Sequence, residues 1–223
     1  MKLSELLDIQ PGITAIIGGG GKTTLLQTLG RELAGTHSVL LTTTTKIMPF
    51  AEIVWADTLE RLKELKRTQT LLCAGKLMKE TGKLTAPDIL FPELMEQFEY
   101  ILVEADGAAR KPMKAHASHE PVIPEEANQV ICVVGASGFG KTIEACVHRP
   151  ERYAELAGVD CSMLVTPETQ AAVLQAEALH DRIYVNQVET PYDMEQAKRL
   201  AEMLRCPVVA GSLHREEYST CSY

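Results

Sequence analysis

At 223 residues, 45% of them apolar and 23% charged, the chain carries enough material to bury a core as one large domain or two small ones. A formal charge of −8 leaves no basic excess to neutralise phosphates, which argues against nucleic acid or an anionic membrane as partner. There is no N-terminal apolar stretch of signal length and no segment able to span a bilayer, so the expected location is the cytoplasm.

The first element in chain order is an apolar, β-branched strand at 13–17 that runs into Gly18-Gly19-Gly20-Gly21-Lys22-Thr23-Thr24. Glycines let the backbone curl around an anion with its N–H groups inward, and the helix that follows offers free amides and a positive dipole end. Lysine adds a point charge at the outer phosphates, and the threonine hydroxyl suits Mg²⁺. Gly18, Gly19, Gly20, Gly21, Lys22, Thr23 and Thr24 therefore read as a phosphate-binding loop of the GGxGKT kind, with Ile16 standing where the pattern usually opens with glycine. Leu25, Leu26, Leu29 and Leu33 at helical spacing predict a helix over 22–34.

A strand at 38–42 ends in Thr42-Thr43-Thr44-Thr45-Lys46, where hydroxyls and a lysine could meet a γ-phosphate or a metal-bound water. A helix at 58–67 and a strand at 70–74 follow, and Lys76 to Leu84 reads as a surface hairpin or flap. Beyond a helix at 87–97, the strand at 99–104 closes on Glu104-Ala105-Asp106-Gly107. An apolar strand ending in carboxylates is what a phosphate-loop site needs to hold Mg²⁺. Glu104 takes the Walker B place, and Asp106 could bind Mg²⁺ or orient water. The next loop carries Arg110, Lys111, Lys114, His116 and His119 in an otherwise acidic chain, so Arg110, Lys114 and His119 are expected to meet a second, anionic substrate. Zinc at His116 and His119 lacks a third ligand.

The strand at 129–134 leads to a second loop, Gly135 to Thr142, that fits GxxxxGK[ST] more fully than the first. Only a short segment separates it from Pro150, so it lacks the long helix that the motif requires. Thr166-Pro167-Glu168 starts a helix over 167–180, with a capping hydroxyl and proline at the first position. A strand at 182–186 ends in Asn186-Gln187-Val188-Glu189, a distant echo of the guanine-reading NKxD block in which only Asn186 is kept. A helix at 190–204 and a strand at 206–210 complete the alternation.

Such alternation implies an α/β fold: a mostly parallel sheet with helices on both faces, read as a single P-loop NTPase-like domain over 1–223. The six cysteines show no CxxC pair or metal spacing and are expected as free thiols.

Gly18–Thr24, Thr42–Lys46, Glu104-Ala105-Asp106-Gly107, Lys114, His119-Glu120-Pro121-Val122-Ile123-Pro124 and His148-Arg149-Pro150-Glu151 together resemble the YqeC family across nearly the whole chain. That resemblance implies a P-loop NTPase fold and an accessory role in nucleotide-dependent maturation of a selenium- or molybdenum-containing hydroxylase cofactor. The partner would then be a molybdenum hydroxylase or its cofactor. The expected ligands are Mg²⁺ and ATP or GTP, with Lys22, Glu104 and Asp106 as catalytic residues. Gly18–Thr24 and Asn186 would bind nucleotide, Thr23 and Glu104 the metal, and Thr44, Lys46, Arg110, Lys114 and His119 a second substrate. Two other readings use the same loop: a small-molecule kinase or ATP-dependent ligase, and a non-catalytic, nucleotide-gated chaperone.

Overall fold

A computed structural model describes residues 1–221. The chain opens with α1 (Leu3–Leu6) and β1 (Gly12–Gly18), then turns through the glycines into α2 (Lys22–Leu33). Next come β2 (Val39–Thr43), β3 (Lys46–Ile47), β4 (Trp55–Ala56), α3 (Leu59–Leu65), β5 (Leu71–Ala74), β6 (Lys76–Met78) and β7 (Lys83–Thr85). The middle of the chain holds α4 (Phe91–Met95), β8 (Tyr100–Glu104), β9 (Met113–Lys114) and β10 (Ala127–Gly135). After a 3₁₀ turn at Ala136–Gly138 it continues through α5 (Ile143–Cys146), β11 (Val147–His148), α6 (Pro150–Ala157) and α7 (Pro167–Glu177). It then runs through β12 (Arg182–Asn186), α8 (Pro191–Glu202), β13 (Val208–Ser212) and β14 (Glu217–Thr220).

Nine strands form one sheet in the order β14-β13-β12-β10-β1-β8-β2-β5-β4. Eight are parallel and only β14 runs antiparallel, at one edge. The inner strands are buried on both faces, which is why they read as unbroken apolar runs rather than alternating ones. On β1, Ile16 packs with Leu3 and Leu7 of the N-terminal segment and with Leu25, Leu26 and Leu29 of α2. Ala15 and Ile17 point the other way, into a cluster with Tyr153, Leu174 and Leu200 from α6, α7 and α8. Farther along that second face, Leu62 and Leu94 cover Leu40, Leu72 and Ile101. Each leucine of α2 that is fully removed from water contributes on the order of 1.5–3 kcal/mol, so the helix behind the glycine loop is held firmly on the sheet.

The sequence boundaries shift where local chemistry intervenes. The helix expected over 87–97 shrinks to Phe91–Met95, with a proline at its start and a single buried residue, Leu94. The helix expected to reach 180 stops at Glu177 because Ala178 turns left-handed. Its start is as expected: Thr166 accepts from the Thr169 N–H, and Pro167 occupies the first turn. The expected flap is a three-stranded antiparallel patch in which β7 pairs with β6 and β3. Among the described residues no helix is long and apolar enough to cross a membrane.

Candidate functional site

Strands β1, β8 and β10 lie side by side and parallel, so their carboxyl ends deliver the glycine loop, Glu104 and the Gly135 loop to one crevice. In the glycine loop, Gly18, Gly20 and Gly21 have φ of 95°, 83° and 126°, conformations that a side chain resists. Three of its amides are already committed: Gly18 N–H donates to Asp106 Oδ2 (2.9 Å), Gly19 N–H to the Val133 carbonyl (2.9 Å) and Gly20 N–H to the Lys111 carbonyl (3.1 Å). The cradle expected from all four glycines therefore narrows to the amides from Gly21 into the first turn of α2. That turn has no side-chain cap and no acidic residue, leaving donors and a positive dipole end for an anion.

Lys22 is 5% exposed and folds back over the loop. Its Nζ donates to the Gly18 carbonyl at 2.7 Å and faces Asp106 Oδ1 at 3.1 Å. Thr23 Oγ1 donates to Glu104 Oε2 at 2.7 Å, bringing together the two residues expected to hold a metal. Burial raises the Glu104 pKa, against the opposing pull of Lys22 and the Thr23 hydrogen bond. Thr43 Oγ1 donates to the Glu104 carbonyl at 2.8 Å and steadies the end of β8.

Asp106 is fully buried and collects cations. Its Oδ2 takes His116 Nε2 at 2.7 Å and faces Lys114 Nζ at 3.2 Å. Burial by itself would raise this carboxyl; the His116 hydrogen bond, Lys22 and Lys114 outweigh it and hold the pKa at about 2. Its Oδ1 has no hydrogen bond of good geometry, only the charge of Lys22. A buried acceptor left in that condition is suited to an incoming donor, cation or water. His116 continues the chain, with Nδ1 at 2.8 Å from Glu177 Oε2, while its backbone N–H donates to Glu177 Oε1 at 2.6 Å. Burial disfavours the imidazolium, but the Asp106 and Glu177 hydrogen bonds prevail and raise the His116 pKa.

Several residues stand elsewhere than expected. Lys114 is shut off from solvent; its side chain is fully buried, donating to the Gly107 carbonyl and lying 2.9 Å from Glu120 Oε2. The pairing of β9 with β11 turns it inward beneath Asp106. Thr44 spends its hydroxyl on the Val122 carbonyl (2.7 Å). Lys46 and Arg110 are exposed, and His119 Nε2 lies 3.5 Å from Arg149 Nη2. Asn186 meets the loop rather than open space: its Nδ2 donates to the Gly20 carbonyl at 2.7 Å, and its Oδ1 accepts from the Leu213 N–H at 3.1 Å. Lys141, in the rival loop, is exposed and followed only by the four residues of α5.

Sequence reasoning missed the roles of His116 and Glu177. They lie 61 residues apart, with no spacing rule to join them. Cys73 and Cys132 are buried strand residues whose thiols burial pushes up, Cys73 to about 12, so neither is a ready nucleophile. Among the described residues, no group of three or more His, Cys, Asp or Glu side chains could hold a metal ion by itself. Mg²⁺ does not require one, since it commonly takes one or two carboxylates and fills its octahedron with phosphate and water. Thr23, Glu104 and the underbonded Asp106 Oδ1 are hard oxygen donors that fit such an ion.

The model of the family described as "YqeC protein" matches residues 14–151, which include the glycine loop, Glu104, Asp106, His116 and Arg149. A relative from Escherichia coli (strain K12), named "Uncharacterized protein YqeC", is 32% identical over 162 residues. The match covers 67% of this chain and 62% of the relative.

Proposed function

The chain belongs to the YqeC family, and we propose that it is a Mg²⁺-dependent nucleotide-binding protein that uses ATP or GTP. One observation carries this reading: Thr23 and Glu104 meet at 2.7 Å beside Lys22, at the uncapped start of a long helix. The amides from Gly21 into α2 and the Lys22 ammonium would take the outer phosphates. Thr23 and Glu104 would hold the metal, whose chemistry is to neutralise charge on the transferring phosphoryl group. Asp106 keeps its charge at neutral pH and offers Oδ1 to a water or to a substrate hydroxyl. Within this reading, the nucleotide cycle serves maturation of a selenium- or molybdenum-containing hydroxylase cofactor.

Isothermal titration with ATP, GTP and CTP in Mg²⁺ tests the proposal. Saturable binding of at least one nucleotide, lost in Lys22→Ala and weakened by chelation of Mg²⁺, is expected. Absence of heat for all three would refute it. Hydroxylase activity in cells lacking the protein, restored by the wild type and not by Lys22→Ala, tests the accessory role.

A further inference from the structure

Beyond His116, the hydrogen-bond partner of Asp106, lies an open cavity of about 730 Å³ whose walls include His116, Ser118, Glu120, Arg149, Arg152 and Glu177. Its size falls within the range of small-molecule sites. We infer that this cavity binds a small molecule carrying a carboxylate or phosphate group, with Arg149 as its anchor. In calling that molecule the second substrate, we rest on the nucleotide reading above.

Three observations converge on Arg149. Its backbone is left-handed, with φ 68° and ψ 63°, directly before Pro150, a conformation that any side chain strains and glycine would accept freely. A residue kept only for packing would not need to be arginine there. Its guanidinium meets Glu120 through Nε alone, at 2.7 Å, which leaves Nη1 for another acceptor and Nη2 with only a 3.5 Å contact to His119 Nε2. Arg149 shares Glu120 with Lys114, whose Nζ lies 2.9 Å from the other carboxylate oxygen. Of the three acids on the wall, Glu120, Glu151 and Glu177, the first is paired with Lys114 and Arg149 and the last with His116.

The cavity is also one imidazole away from the crevice. Glu177 stands on its wall, His116 joins Glu177 to Asp106, and Asp106 holds the Gly18 N–H of the glycine loop. A molecule anchored at Arg149 is therefore coupled through Glu177 and His116 to the group that would orient water or hydroxyl. The sequence suggests Thr44, Lys46, Arg110, Lys114 and His119 for such a substrate; in this inference its anchor is Arg149.

The test is calorimetric titration of sulfate and, separately, succinate into the protein saturated with ADP and Mg²⁺, so that the glycine loop is already filled. We expect at least one of the two anions to bind. Arg149→Gly, which suits the left-handed backbone, should weaken that binding at least 10-fold while leaving ADP affinity within about 3-fold. Arg149→Lys, which keeps the charge and loses the fork, should weaken it at least 5-fold, and it decides the matter if the glycine variant does not fold. Binding of neither anion, or equal binding by the folded variants, overturns the inference. Failure of ADP to bind would instead sink the nucleotide reading, and the Arg149 comparison would still be decided on the protein without nucleotide.

Discussion

Two glycine-rich loops leave neighbouring strands of the same sheet, Gly18–Thr24 from β1 and Gly135–Thr142 from β10. The second matches the usual phosphate-loop pattern better, yet the first has the equipment. Behind Lys22 stands a 12-residue helix whose leucines are buried; behind Lys141 stands a four-residue helix. Lys22 is buried against Asp106, whereas Lys141 points into solvent. A glycine pattern permits a tight turn, but the anion site comes from the amides and dipole of a long helix seated on the sheet. The two loops differ in the helix that each one opens.

The largest effect expected to sharpen this contrast is on stability. Asp106→Ala removes the carboxylate shared by Lys22, Lys114 and His116 and leaves buried cations facing one another. The cost should be about 3–5 kcal/mol, or roughly 10 °C in Tm by scanning calorimetry. Ser137→Ala in the second loop loses only an exposed hydroxyl contact with Gln187, worth under about 1 kcal/mol. Equal losses would mean that the first loop is not the one wired to the core.

Next comes binding. Lys22→Ala should weaken nucleotide affinity roughly 100-fold or more by titration, since a charge-assisted phosphate contact is lost. Lys141→Ala should change it less than about 2-fold. The reverse outcome would hand the function to the second loop.

A pH series probes the same asymmetry. Asp106 has a folded pKa of about 2 against an ordinary 3.8, so its stabilisation is complete above 3.8 and is lost as pH falls toward 2. The loss amounts to about 2 kcal/mol. His116 is raised above 6.5, so its contribution is full below 6.5 and fades as pH climbs through the folded value. Maximum stability is therefore expected between about pH 4 and 6.5, measured by urea melts, and Asp106→Asn should flatten the acid limb.

The smallest contrast is steric. A Cβ on Gly20 would lie 2.5 Å from Gly135 Cα, whereas on Gly140 its nearest neighbour is Tyr192 Oη at 3.4 Å. Both positions are left-handed, so both alanine variants lose about 1 kcal/mol to strain. Gly20→Ala should lose roughly 1–3 kcal/mol more, because backbone must move. Parity in Tm would mean that the two strand ends are not packed loop against loop.

The strands of the sheet interior were legible in the sequence because burial on both faces leaves continuous β-branched runs; seven of them were read to within two residues at either end. The two edge strands were not. Trp55–Ala56 is too short to show a period, and Glu217–Thr220 is polar and lacks an apolar face. Helix α6 was missed because only Tyr153 and Ala154 of its eight residues are buried, too few to make a stripe. In the site, Lys22, Thr23 and Glu104 were legible because loop, helix and strand end are local patterns. Lys114 was read as a contact for a second, anionic substrate, and its burial was not legible because its partners, Asp106 and Glu120, are chosen by folding. The Asp106–His116–Glu177 chain joins three separate segments, and no local pattern could have announced it.

The margins of the sheet carry one more consequence. A long parallel sheet with a bare apolar edge would recruit other chains through its unpaired amides and carbonyls. Here one border is the two-residue Trp55–Ala56, and the other is an antiparallel strand whose Glu217, Ser219 and Thr220 are exposed. Neither border offers a flat apolar template for another strand. Copies of this molecule at high concentration therefore gain little by joining large sheet to large sheet across these two borders.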